Sequence, residues 1–258
     1  MRKVTFKNSR GQRLAGVWHR AAGGAAARGG NPVLIFCHGF RGSKDGGGRA
    51  VEFGAGIAAA GYHVLRFDFS GTGDSEGEFA AATLTGYMDD LAAAVEYAGE
   101  KAAGPVIVLG RSFGGTTAIC QAAVDGRIAG VCTWAAPADL METFEKPLAE
   151  AMGQFEQGDI MTVTDEAGTF SLRHGFFDDL ACHDVYRAAG RIAPRPLLIV
   201  HGSADETVAV AQGRKIYDAG NKPKELNIIE GADHRFTRHF SEVTDLTEIW
   251  LKKYFSTD

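Results

Sequence analysis

Apolar residues in this chain fall into short, nearly continuous runs separated by longer stretches of helical spacing. Residues 33–37 (Val-Leu-Ile-Phe-Cys), 63–67, 106–109 (Val-Ile-Val-Leu), 130–134, 196–200 and 225–229 are apolar-rich, and glycine, proline or polar clusters bound them. Such runs predict strands buried on both faces. Between them, Leu84, Tyr87, Met88, Leu91, Val95 and Ala98 recur three and four residues apart, which predicts one amphipathic helix. Stretches 50–60, 209–219 and 240–255 read the same way. Residues 4–7 and 14–18 flank the Asn8-Ser9-Arg10-Gly11 turn and predict an antiparallel hairpin at the sheet edge. Strands alternating with helices predict an α/β fold, a mostly parallel sheet with helices on both faces.

The rhythm breaks over residues 139–187. Met141, Phe144, Met152, Phe155, Met161, Phe170, Phe176 and Phe177 are mixed there with acids and glycines. This stretch reads as an insertion, which leaves 1–138 and 188–258 as the core. Residues 21–31 are Gly/Ala-rich and read as a flexible surface connection.

Composition narrows the function classes. The 258 residues fit one domain; 45% are hydrophobic and the net charge is −5, so no basic field is available for a nucleic-acid backbone. No apolar run reaches the roughly 18–20 residues that span a bilayer. The charged start Met-Arg-Lys-Val-Thr-Phe-Lys has no hydrophobic stretch behind it, unlike a secretory signal. Cys37, Cys120, Cys132 and Cys182 form no Cys-x-x-Cys pair and read as buried free thiols of a reducing, cytoplasmic compartment. Neither a metal site nor a cofactor is expected. Gly71-Thr72-Gly73-Asp74 lacks the spacing of a nucleotide fingerprint and reads as a tight structural turn.

The chemistry lies in Gly110-Arg111-Ser112-Phe113-Gly114, a Gly-x-Ser-x-Gly segment between the strand at 106–109 and a following helix. A serine on such a sharp turn stands clear of the sheet as a nucleophile. It needs a base, and the base needs an orienting acid. Strand 197–200 runs into His201-Gly202-Ser203-Ala204-Asp205-Glu206, and strand 226–229 into Glu230-Gly231-Ala232-Asp233-His234. Both turns fall at the carboxyl edge of the sheet, where ligands of open α/β sheets bind. His234 is the expected base, with His201 and His239 as rivals; Asp205 is the expected acid, with Glu206 or Asp233 as alternatives. The oxyanion donors are expected to be the backbone N–H groups of Phe113 and of Phe40 in the His38-Gly39-Phe40-Arg41-Gly42 loop. His38 itself reads as a brace for that loop. Phe144, Phe176 and Phe177 are the candidate substrate-pocket residues.

Together, Gly110-Arg111-Ser112-Phe113-Gly114-Gly115, His38-Gly39-Phe40, the 68–75 loop, His201-Gly202-Ser203-Ala204-Asp205 and Asp233-His234 resemble the α/β-hydrolase superfamily. Within it, the chain is most similar to small serine carboxylesterases of the cinnamoyl and feruloyl esterase and serine aminopeptidase-like group. The resemblance implies an eight-stranded sheet with a cap after the sixth strand, at 139–187, and hydrolysis of a small-molecule ester through an acyl-enzyme without a cofactor. Cinnamoyl esterases carry His and Gln beside the nucleophile, where this chain has Arg111 and Phe113. An aminopeptidase-like amide hydrolase and a non-catalytic ligand-binding protein of the same fold are the alternatives. A membrane partner is not expected, and the sequence leaves a homodimer open.

Overall fold

The structure, a computed structural model, describes residues 1–22, 30–165 and 168–256. Most of the Gly/Ala-rich connection expected at 21–31 lies outside the described residues. Strands β1 (Arg2–Lys7) and β2 (Arg13–His19) pair antiparallel. Then follow β3 (Val33–Cys37), α1 (Arg49–Ala59), β4 (His63–Phe67), α2 (Leu84–Lys101), β5 (Val106–Arg111), α3 (Phe113–Ala122) and β6 (Ile128–Trp134). Next come α4 (Leu140–Met152), β7 (Ile160–Asp165), β8 (Gly168–Arg173), α5 (Gly175–Ala181) and α6 (Val185–Gly190). The strand–helix rhythm resumes with β9 (Leu197–Gly202), α7 (Val210–Ala219), β10 (Lys224–Ile229) and α8 (Phe240–Tyr254).

Among the described residues, eight strands form one sheet in the order β1-β2-β4-β3-β5-β6-β9-β10. Strand β2 runs antiparallel to both neighbours and all other pairs are parallel. The solid apolar runs follow from this. Val33, Ile35 and Cys37 of β3 join a core with α2, α3 and α6, while Leu34 and Phe36 join a second core with α1 and α8. The parallel strands β3 and β9 thus bury every side chain, because strand side chains alternate between faces and both faces are covered. Helix α2 starts where the Thr83 hydroxyl accepts the Gly86 N–H at 2.9 Å, a cap that satisfies one orphan donor. Leu84, Tyr87, Leu91, Val95 and Ala98 are buried as the spacing predicts, with Met88 half-buried at the margin.

Among the described residues, the segment between β6 and β9 contributes nothing to the main sheet: β7 and β8 pair only with each other. Its apolar side chains Met161, Leu172, Phe176, Phe177 and Leu180 belong to the same core as α2 and α3. The segment is therefore packed onto the body.

Two expectations need correction. Gly130 reads as the opening of a strand, yet β6 begins at Ile128 and carries Gly130 inside it. A Cβ there would lie 2.6 Å from the Phe255 ring, so the missing side chain makes room for a residue 125 positions later. Cys37, Cys120 and Cys132 are buried free thiols, but Cys182 is exposed at the end of the short helix α5.

Glycines in different settings separate packing from helix propensity. A Cβ on Gly114 would lie 2.4 Å from the carbonyl oxygens of Cys37 and His38, whereas Gly99, on the exposed face of α2, has nothing within 4 Å. Gly114→Ala should lower unfolding free energy by about 3 kcal/mol or more, because backbone must shift. Gly99→Ala should raise it by about 0.5–1 kcal/mol. Urea denaturation of both variants measures the contrast.

Candidate active site

Ser112 joins β5 to α3 with φ 52° and ψ −127°, a region that non-glycine residues rarely enter. Such strain costs about 1–3 kcal/mol and persists only where surroundings enforce it. The enforcement is visible. The Ser112 N–H donates to the Trp134 carbonyl at 2.7 Å, and the Ser112 carbonyl accepts from Gly115 at 2.7 Å. Around the turn, a Cβ on Gly110 would lie 2.1 Å from the Gly114 carbonyl oxygen. A Cβ on Gly39 would lie 3.1 Å from Cβ and 3.6 Å from Oγ of Ser112, so the 38–42 loop lies directly against the serine. Phe113 is the first residue of α3, and its N–H has no carbonyl one turn back to receive it.

His234 comes from the loop after β10. Its Nε2 lies 3.1 Å from Ser112 Oγ, and its Nδ1 lies 2.9 and 3.0 Å from the two oxygens of Asp205. A carboxylate only accepts, so Nδ1 carries the proton and Nε2 presents a lone pair to the serine hydroxyl. Asp205 has no exposed side-chain surface. It also accepts from the Thr207 and Val208 N–H groups at 2.9 and 2.8 Å, and its Oδ2 lies 3.2 Å from His201 Nε2. Burial alone would raise the Asp205 carboxyl. The hydrogen bonds from His201 and His234, with the Val208 N–H, outweigh it and hold the group well below the usual carboxylate range.

The rivals occupy other posts. His201 lies behind the carboxylate: its Nε2 also faces the Val208 carbonyl at 2.9 Å, so that nitrogen is a donor. Its fully buried ring lies against Gly213, where a Cβ would come 2.6 Å from Nδ1. His239 precedes α8 as its flanking residue. Glu206 Oε2 accepts the His234 N–H at 3.2 Å, and Asp233 accepts the Thr237 N–H at 2.6 Å. The role of His201 as a second imidazole donor to Asp205 is what sequence reasoning missed, although the i, i+4 spacing of the two residues is a readable signal.

His38 is fully built into its loop. Its Nε2 accepts the Phe69 N–H at 3.2 Å, and its Nδ1–H donates to the Gly39 carbonyl at 2.8 Å. Burial lowers this imidazole below its ordinary value, consistent with a neutral ring. The glycine-spaced 68–75 loop supports it from below. Asp68 accepts from the Lys44 N–H, the Lys44 ammonium and the Asp74 N–H at 2.7, 2.7 and 2.9 Å. A Cβ on Gly73 would collide with that carboxylate at 2.2 Å.

Beside the serine stands a phenylalanine cluster. The Phe40 ring lies 5.2 Å from Phe144 and 5.5 Å from Phe176, and Phe113 lies 5.1 Å from Phe144. These are edge-to-face and tilted contacts of the favourable range. Phe177 packs one layer further out, against Phe176 at 5.3 Å and Phe155 at 6.0 Å. Among the described residues, no cluster of three or more His, Cys, Asp or Glu side chains could hold a metal ion. No helix among them is long and apolar enough to cross a membrane.

A family model described as serine aminopeptidase, S33, matches residues 31–156. The α/β hydrolase GrgF from Penicillium sp. sh18 superposes with a TM-score of 0.81 at 19% identity, covering 99% of each chain. The chain has the α/β-hydrolase fold. Est1E from Butyrivibrio proteoclasticus, solved with ferulic acid bound, superposes on this chain with a TM-score of 0.81 at 20% identity, over 98% of this chain and 100% of its own. In sequence it is 25% identical over 223 residues to a lysophosphatidylserine lipase, ABHD12, of Danio rerio. The match covers 83% of this chain but spans only 55% of that longer protein.

The depressed Asp205 carboxyl ties stability of the fold to pH. A group whose folded value lies below its unfolded one stabilises fully above the unfolded value, near about 4, and loses that contribution as pH falls toward the folded value. The unfolding free-energy advantage of wild type over Asp205→Asn should therefore be flat between pH 5 and 7 and shrink as pH drops from about 4 to 2. Denaturant titrations of both proteins across that range measure it.

Proposed function

We propose that this α/β-hydrolase is a serine esterase that cleaves carboxylic esters of small apolar or aromatic substrates through an acyl-enzyme. The observation that carries the reading is the unbroken hydrogen-bond line from Ser112 Oγ through both nitrogens of His234 to buried Asp205. A hydroxyl is a poor nucleophile at neutral pH; an imidazole held with its free lone pair on that hydroxyl removes this limit.

In the proposed reaction, Ser112 Oγ attacks the ester carbonyl while its proton passes to His234 Nε2. The resulting imidazolium is stabilised by Asp205, which stays ionised because its carboxyl lies well below the usual range. The Phe113 and Phe40 N–H groups receive the tetrahedral oxyanion, the first of them at the positive end of helix α3. His234 then gives its proton to the departing alkoxide, the C–O bond breaks, and the acyl group remains on Ser112. Water, deprotonated by His234, attacks the acyl-enzyme; the acid leaves and the serine regains its proton. The segment 139–187 serves as the cap. Phe144 and Phe176, with Phe40 and Phe113, favour an apolar or aromatic group on the substrate, and Phe177 supports them from behind. The ferulate-bound and lipase relatives support an ester as the scissile bond. The aminopeptidase family match favours an amide substrate as the second reading; faster turnover of aminoacyl-arylamides than of aryl esters would select it.

Ser112→Ala should reduce hydrolysis of short p-nitrophenyl esters by about 10³-fold or more, as removal of a triad nucleophile does elsewhere. Its unfolding midpoint should match or exceed the wild-type value, because the strained serine contributes no buried packing that alanine lacks. Wild-type-like hydrolysis by this variant would refute the scheme.

A further inference from the structure

Arg41 follows Phe40 and has φ 56°, in the left-handed region that residues with a Cβ enter at a cost. The turn it occupies is closed by the Gly42 N–H donating to the Gly39 carbonyl at 2.9 Å. Glycine or asparagine would take this backbone more easily, so the arginine side chain has a use that outweighs the strain. Its guanidinium reaches across to the β7–β8 hairpin. Nη1 donates to the Asp165 carboxylate, and Nη2 donates to the Gly168 carbonyl at 3.1 Å. The carbon at its centre lies 4.2 Å from the centroid of Phe170, whose ring also packs 5.9 Å from Phe40. Only 20% of the Arg41 side chain is exposed.

We propose that Arg41 is a positioning residue that makes the aim of the Phe40 N–H depend on the seated β7–β8 hairpin. A lone exposed ion pair would contribute little. Here a planar fork is fixed by a carboxylate, a carbonyl and an aromatic face at once, which sets direction as well as attraction. The hairpin so clamped holds the loop whose N–H receives the oxyanion. This rests on the reading of that N–H as an oxyanion donor. An interaction of this kind acts on the tetrahedral state and not on the bound ester, so its loss appears in kcat and not in KM.

The test measures kcat and KM on p-nitrophenyl butyrate, and the inhibition constant of an aryl trifluoromethyl ketone, whose serine hemiketal carries the same oxyanion. Arg41→Met should lower kcat by about 10–100-fold, a part of what loss of a whole donor costs. It should weaken the ketone by the same factor and leave KM within about twofold. Arg41→Lys should recover part of the loss. Asp165→Asn, on the exposed end of the hairpin, should shift kcat and ketone binding together by a smaller factor, because Gly168 and Phe170 still hold the guanidinium. Asp165→Asn keeps the test open if an Arg41 variant fails to fold. Unchanged kcat and ketone affinity in Arg41→Met or Asp165→Asn, or a loss confined to KM, would overturn the proposal. Where the wild-type protein turns over ester through Ser112, that result rejects the clamp alone. Absence of wild-type turnover, with no labelling of Ser112 by a fluorophosphonate, rejects the esterase reading and the clamp with it.

Discussion

Every distance at the site depends on backbone surfaces that meet where Cβ atoms would collide. The Gly114 Cα faces the carbonyls of Cys37 and His38, the Gly110 Cα faces the Gly114 carbonyl, and the Gly39 Cα faces Ser112 itself. Helix α3 can therefore start against the ends of β3 and β5 at close range, and the connecting residue has room for one backbone path, the strained one. The same approach delivers the 38–42 loop to the serine. Glycine acts here by absence of volume more than by conformational freedom, since none of the three has positive φ. The hydroxyl, the first N–H of α3 and the neighbouring loop are thus brought together by packing of main chain, before any catalytic side chain is considered.

The second constraint is electrostatic. A fully buried carboxylate is costly unless donors surround it, and Asp205 is surrounded by the Thr207 and Val208 N–H groups and two imidazoles. Because both imidazoles face acceptors through one nitrogen, each tautomer is set by its acid-side partner, which leaves His234 Nε2 free for the serine. His201 stiffens the acid from behind. It has space to do so only because α7 presents Gly213 to its ring. Strands β9 and β10 are parallel neighbours in the sheet, so the loops after them start side by side and the hydrogen bond from His234 to Asp205 needs no long excursion of chain.

Much of this was legible in the residue order. Parallel strands buried on both faces cannot alternate, so β3, β5 and β9 announce themselves as apolar runs; the Gly-x-Ser-x-Gly turn after β5 then singles out Ser112, whereas the turns after β9 and β10 offered Asp205 with Glu206 or Asp233 as alternatives. The chain order serine, acid, histidine follows from the order of the strands. The segment 139–187 was legible only as a break in rhythm. Its strands pair with each other, α5 and α6 span only 7 and 6 residues, and α4 carries Pro147 inside it, which obscures its helical pattern. Its apolar residues are shared with α2 and α3, partners far off in sequence. Gly130 was misread for the same reason: the ring that fills its missing side chain belongs to Phe255. His201 looked like a rival base because spacing cannot say which side of a carboxylate a ring approaches.

The 38–42 loop is where these levels join. From below, His38 is fixed by the Phe69 N–H and by its own bond to the Gly39 carbonyl, and the Asp68–Lys44 pair stiffens the turn beneath. From the outer side, Phe40 packs among Phe79, Phe144 and Phe176, and Arg41 holds the hairpin. A loop without regular hydrogen bonding would ordinarily be among the least stable parts of a fold. Here it is set between a buried polar network and a packed aromatic layer. Low polarity strengthens any hydrogen bond made there, and a rigid loop spends no reorganisation in making it. Under the proposed esterase reading, the aromatic residues of the 139–187 segment would therefore bear on reactivity as well as on which substrate fits, since the side chain they enclose belongs to Phe40, the proposed oxyanion donor.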